Sequence, residues 1–258
     1  FPVSWLERYN LNGTDGIISG NQDGADILRD RGYRGPIRVM PQLGVDETLF
    51  RPQPQPELAA QVGLAPTDFV IGFVGRFVEE KGLATLCQAL AQLKDAPHPW
   101  RGLLLGRGPL KEALQAQAAA LGIGDRLHWV ESVPHDDVPR YINLMSALVL
   151  PSETTYKFKT LTSAGWKEQF GHVLIEAMAC QVPVIGSDSG EIPHVIGDAG
   201  LVFPEGNAAE LAHCLRTLMA SPDTYTDLSK RGYDRAMAHY TNRALAEATL
   251  AFYRELVA

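Results

Sequence analysis

The chain of 258 residues is long enough for one large domain or two small ones. With 45% hydrophobic and 21% charged residues, its composition is neither disordered nor fibrous. A formal net charge of −7 argues against a broad polyanion-binding surface, so nucleic acid is not an expected partner, although a small local basic site is compatible with it.

Residues 1 to about 65 are patterned unlike the remainder. Asp15–Gly20 reads as a short strand entering a turn, and Ile37–Met40 as a second short strand. Between them Asp23–Arg31 has helical spacing, with Gly32 as its stop. Pro52-Gln53-Pro54-Gln55-Pro56 follows as extended linker or loop. From about residue 66 a regular alternation begins. Phe69–Gly75, Gly102–Gly106, Arg126–Val130, Ala147–Leu150, Pro183–Ser187 and Gly200–Phe203 read as strands. Leu83–Leu93 and the alanine-rich Leu110–Leu121 have helical spacing, as does Ala208–Ala258, which ends in a terminal helix. Apolar strands alternating with helices predict an α/β fold, a Rossmann-like parallel sheet with helices on both faces. Such sheets bind ligands beyond the carboxyl ends of their strands.

Cys87, Cys180 and Cys214 are odd in number and lie in apolar, helix-like surroundings. They read as buried free thiols of a reducing compartment, and a cytoplasmic location is expected. The histidines have no ligand spacing with these cysteines, so no metal site is expected. No apolar run reaches membrane-spanning length and no signal peptide is visible. The first residue is Phe1, so a processed or truncated piece of a longer chain is one reading.

The most informative stretch is Trp166-Lys167-Glu168-Gln169-Phe170-Gly171-His172-Val173-Leu174-Ile175-Glu176-Ala177-Met178. Val173, Leu174, Ala177 and Met178 recur at helical spacing, so a buried-faced helix opens at Gly171 or His172. Glu168 then lies in the loop before the helix, and Glu176 on its second turn. A helix N-terminus suits a phosphate, and Gly171 lets a ligand approach the backbone closely. Carboxylates beside such a site are acceptors for sugar hydroxyls, so the stretch reads as a nucleotide-sugar pocket. The competing reading is an amphipathic helix with two solvated glutamates. His172 either donates to a phosphate or sugar oxygen or faces solvent at the helix start.

Gly75-Arg76-Phe77-Val78-Glu79-Glu80-Lys81-Gly82 follows the strand at Phe69. Arg76 and Lys81 together can neutralise a diphosphate. Alternatively they are surface cations bridged to Glu79 and Glu80. Gly106-Arg107-Gly108-Pro109 is a second glycine loop, able to line a pocket floor, and lacks the dinucleotide-binding pattern. Val130-Glu131-Ser132-Val133-Pro134-His135 either lines the pocket or caps a helix beginning near Asp136. At Ser187-Asp188-Ser189-Gly190-Glu191, Ser189 and Gly190 can supply donors, and Gly190 suits a tight approach. The loop Tyr156–Gly165, with Lys157 and Lys159, either closes over a ligand or is simply mobile.

The run through Glu168, Glu176, the Glu176–Cys180 helix, Pro183–Ser187 and Ser189–Pro193 resembles the donor-site signature of the family-4 retaining glycosyltransferases, which have the GT-B fold. Gly44-Val45-Asp46, Phe50 and Pro52 also match the segment that crosses to that family's donor-binding domain. The resemblance covers roughly residues 37–258 and implies transfer of a sugar from a nucleotide-sugar donor, UDP- or GDP-linked, to an unknown acceptor. It implies that Arg76 and Lys81 hold the diphosphate, Glu176 the ribose and Glu168 the transferred sugar. Backbone groups at Phe170, Gly171 and His172 complete the cradle beside Gly75, Ser189 and Gly190, with Val133 near the base. No cofactor is implied. The implied division is a remnant of the N-terminal domain and hinge at 1–65, the GT-B C-terminal donor-binding domain at 66–238, and a crossover helix at 239–258. The missing half, or a partner chain, would then supply the acceptor side and any peripheral membrane contact. A non-catalytic nucleotide-sugar-binding subunit, and a hydrolase or epimerase on the same fold, stay open as alternatives. Gln181 stands where the family usually has glycine, at an expected cost of about 1 kcal/mol if that residue is left-handed.

Overall fold

The computed structural model describes residues 2–96, 98–157 and 165–258. In chain order it contains α1 (Pro2–Asn12), β1 (Ile17–Ser19), α2 (Gln22–Asp30), β2 (Ile37–Val39), α3 (Pro56–Gln61), β3 (Phe69–Val74), α4 (Leu83–Ala91), β4 (Trp100–Leu105) and α5 (Lys111–Ala120). There follow β5 (Leu127–Val130), α6 (Val138–Ile142), β6 (Ala147–Leu150), α7 (His172–Ala179), β7 (Val184–Ser187), α8 (Ile192–Ile196), β8 (Leu201–Phe203), α9 (Ala208–Ala220), α10 (Pro222–His239) and α11 (Asn242–Val257). Two compact units result: the described residues up to Gly44 with Ala238–Ala258, and Val45–Met237.

In the smaller unit β1 and β2 pair in parallel, with Ile17 beside Ile37. Asn21 caps α2 by accepting from the Gly24 N–H at 2.8 Å, and Thr241 caps α11 by accepting from Ala244 at 3.0 Å. Leu245 and Phe252 of α11 are buried, and a side chain at Gly16 would meet Leu256 and Phe252. The terminal helix is therefore integral to this unit.

The larger unit holds a six-stranded sheet, all pairs parallel, in the order β5-β4-β3-β6-β7-β8. Its central strands are apolar throughout because both faces are covered: Phe73, Leu103, Leu148, Val149 and Ile185 have no exposed surface. Helix α4 packs on α5 and α9, and α7 on α6 and α8. Right-handed crossovers running outward in opposite directions from the centre put these two helix sets on opposite faces. The order reverses between β3 and β6, which opens a crevice at their carboxyl ends.

The boundary between the two units falls at Gly44. Residues 45–65 carry their own anchors into the larger unit: Val45, Phe50 and Leu58 are buried, the Phe50 ring lies 5.3 Å from His135, and Asn143 bonds the backbone of Arg51 and Gln53. The proline-rich segment is irregular only as far as Gln55, since Pro56 takes the first position of α3, where its missing N–H costs nothing.

Candidate active site

Each expected site residue sits in a loop leaving the carboxyl edge of the sheet, or on the helix that such a loop feeds. The loops after β3 and β4 lie side by side. Gly75 donates to the Leu105 carbonyl at 3.0 Å and Phe77 to the Arg107 carbonyl at 2.9 Å, while Gly106 reaches Val130 at 3.0 Å. Together with the loop after β5 they line a cleft of about 490 Å³, to which Gly75, Arg76, Gly106, Arg107, Ser132 and Val133 contribute. The Arg76 side chain is 72% exposed, and its ion pair with Glu80 is a loose 3.8 Å. A cation held this weakly stays available to an anion in the cleft.

Lys81 behaves differently. Its side chain is only 17% exposed, and its ammonium donates to Glu168 Oε2 at 2.5 Å and lies 5.4 Å from the centre of the Trp166 ring. Glu168 is 7% exposed and accepts a second bond on the same oxygen from Ser152 at 2.7 Å. Trp166 is held by paired backbone bonds with Thr155 at 2.7 and 2.9 Å. Of the alternative pairings to Glu79 and Glu80, Arg76 makes the loose one, while Glu79 bonds Lys157 instead. Lys159 and most of the Tyr156–Gly165 loop lie outside the described residues.

Helix α7 opens at Gly171, which is left-handed at φ 82° and contributes no side-chain cap. Packing within the protein already requires glycine at this position. A Cβ there would meet Leu150 Cδ2 at 2.7 Å, so the vacant volume belongs to the β6 side chain. Gly190 (φ 56°) makes the same point, since a Cβ would lie 2.0 Å from the Glu168 carbonyl oxygen. That carbonyl accepts from Glu191 at 3.0 Å, so the loop after β7 locks the backbone of Glu168. Ser189 is buried, 3.4 Å from Thr154 Oγ1.

Phe170 and His172 form a ring pair with centroids 4.9 Å apart. Desolvation lowers the His172 pKa against the opposing pull of Glu168, although the residue as a whole is exposed. Burial raises the Glu176 carboxyl above its ordinary value, and nearby His135 offsets part of that rise. Two groupings therefore emerge. Gly75, Arg76 and Val133 share the cleft, while Lys81, Glu168, His172, Ser189 and Gly190 surround the buried ion pair. Glu176 senses His135 at the end of the cleft loop.

The sequence reading omitted Ser152. Its signal was its place just past Leu150, where a fully buried strand ends on Pro151-Ser152. Burial pushes Cys87 up to about 11 and Cys180 up to about 12, and raises Cys214, so these thiols stay protonated and unreactive near neutral pH. Among the described residues no helix is long and apolar enough to cross a membrane.

Comparison with known proteins locates this geometry. The family model for glycosyl transferases group 1 matches residues 54–235, more than half of the chain. The chain is 29% identical over 275 residues to alpha-maltose-1-phosphate synthase of Mycolicibacterium smegmatis, covering 99% of this chain and 67% of that protein. It is 30% identical over 228 residues to D-inositol 3-phosphate glycosyltransferase of Segniliparus rotundus, covering 84% and 46%. Among solved structures, sucrose-phosphate synthase from Thermosynechococcus elongatus superposes with a TM-score of 0.77 at 28% identity, over 98% of this chain and 61% of that one. Anabaena HepE, solved with UDP and glucose, has a TM-score of 0.75 at 22% identity, over 96% and 67%, a likeness of fold. The chain thus spans about half to two thirds of these relatives.

Proposed function

We propose, from the premise that this chain belongs to the glycosyl transferases group 1 family, that Val45–Met237 is the donor-binding half of a retaining glycosyltransferase of family 4. The smaller unit is then a part of the acceptor-side domain. The observation that carries this reading is the buried Lys81–Glu168 pair, placed beside the Arg76 cleft at the carboxyl edge where the strand order reverses. A redox cofactor site would need no such pair, whereas a sugar diphosphate needs cations at the phosphates and a carboxylate at the sugar hydroxyls.

In this reading the base enters the cleft beside Val133, and Glu176 accepts from the ribose hydroxyls. Arg76 and Lys81 bind the diphosphate. Lys81 has three donors and gives one to Glu168, which leaves it able to serve a phosphate oxygen without abandoning its partner. The uncapped start of α7 adds backbone N–H groups and partial positive charge. Glu168 accepts from the transferred sugar. As the bond from the anomeric carbon to the diphosphate breaks, charge develops on the departing oxygens, and these fixed donors stabilise it without reorganising. Attack by the acceptor hydroxyl on the face the diphosphate leaves, its proton passing to the departing diphosphate oxygen, gives retention. The complexes of HepE with UDP and UDP-glucose support a uridine donor, with guanosine as the competing base.

The test separates the two glutamates. Glu176→Ala is expected to weaken a bare nucleoside diphosphate about ten-fold, the scale of one charged hydrogen bond. Glu168→Ala is expected to spare the diphosphate and weaken its sugar conjugate. Equal binding of the diphosphate by wild type and Glu176→Ala would overturn the assignment.

A further inference from the structure

We infer that Ser152 is a positioning residue that divides the labour of the Glu168 carboxylate, fixing Oε2 as the anchored oxygen and leaving Oε1 to meet the substrate. Ser152 and Ser187 have no exposed surface at all, which is unusual for hydroxyl side chains at the ends of strands that open onto a site. Ser187, the last residue of β7, donates its hydroxyl to the Ser152 carbonyl, and Ser152, just past β6, donates its own to Glu168 Oε2 at 2.7 Å. Lys81 donates to that same oxygen at 2.5 Å. Both donors the structure gives to this carboxylate therefore converge on one atom, and among the described residues none is given to Oε1.

A carboxylate oxygen accepts about two hydrogen bonds, so Oε2 is filled by protein and Oε1 keeps its capacity. Lys81 alone would not hold this geometry, because an ammonium on a four-carbon stem follows its partner as it turns. The serine, on a buried strand end braced by Ser187, is the stiff donor that sets the rotation of the carboxylate. The same arrangement keeps Glu168 oriented when Lys81 turns a donor toward a phosphate. The inference deepens the donor-site reading and rests on it for the identity of the ligand, though not for the geometry.

The experiment has a ligand-free and a ligand-bound arm, using wild type, Ser152→Ala, Ser152→Thr and Ser187→Ala. In ligand-free crystals, Ser152→Ala is expected to show the Glu168 carboxylate rotated while the loops around it stay in place. In titrations with UDP and UDP-glucose, and with GDP and GDP-mannose, Ser152→Ala is expected to weaken the sugar conjugate roughly five- to ten-fold and the diphosphate by less than about two-fold. Ser152→Thr keeps the hydroxyl and is expected to restore the wild-type ratio, while Ser187→Ala gives a smaller loss in the same direction. A purely structural serine would weaken both ligands together or neither, and either result overturns the inference, as does an unmoved carboxylate in the ligand-free variant. Wild type that binds no nucleotide would remove the donor-site reading instead, and the ligand-free structures would then decide the positioning role by themselves.

Discussion

Burial raises the Glu176 pKa on the second turn of α7, and His135 offsets only part of the effect. The sign of the stability effect follows. A carboxyl whose folded pKa lies above its unfolded value of 4.5 binds protons more tightly when folded, so its contribution worsens as pH rises through that window. Replacing Glu176 by Gln removes the burden. The variant is expected to melt above wild type at pH 7, with the gap closing below pH 4.5, as thermal melts at the two pH values would reveal. A gap of the same size at both values would mean the gain came from packing. Retaining a destabilising carboxylate is understandable if it has hydroxyls to accept. Gln181 is a second residue at odds with its place. It is left-handed at φ 58°, and the bonds from Gln181 to Met178 and from Val182 to Ala177 form the helix-ending motif in which glycine is usual. Gln181→Gly is expected to gain about 0.5–1 kcal/mol in urea unfolding, and a loss would contradict the backbone argument.

The elements were legible in proportion to how fully they are buried. The central strands β3, β4, β6 and β7 announce themselves because both their faces are covered, and α7 because Leu174, Ala177 and Met178 keep its buried stripe. Helix α3 was hidden behind alternating prolines, one of which turned out to be its first residue. Helix α8 was hidden because five residues beginning Ile-Pro offer too little periodicity. The site loops lie at strand ends as the pattern predicts, and packing inside the protein by itself calls for glycine at Gly171 and Gly190. Their missing side chains make room for Leu150 and for the Glu168 carbonyl, since protein packing claims such space as readily as a ligand does. Ser152 showed only its place just past a buried strand, because a pairing sixteen residues away in sequence leaves no local pattern that names the partner. The Gly190 contact has a measurable consequence. Gly190→Ala forces a Cβ to within 2.0 Å of the Glu168 carbonyl in a left-handed backbone, so the two loops must part. Unfolding is expected to become easier by about 2 kcal/mol or more. Wild-type stability in that variant would show that the loops yield freely.

At the scale of the whole molecule, charge and burial divide the work. A chain with net charge −7 places Arg76 and Arg107 on one cleft and Lys81 in the loop that follows Arg76, so the anionic ligand proposed above would meet local positive charge on an otherwise acidic protein. Because the chain spans as little as 46% of a relative, donor binding is the part of the proposed function that can be tested on it alone. Binding should then register as stability, about 2.7 kcal/mol at a ligand concentration one hundred times Kd. The most direct measurement is calorimetric titration of these 258 residues with UDP, GDP and ADP. Saturable one-to-one binding of one of them is expected, greatly weakened when Arg76 and Lys81 are both changed to Ala. A folded chain that binds none of the three, or that binds one equally well without the two cations, would contradict it.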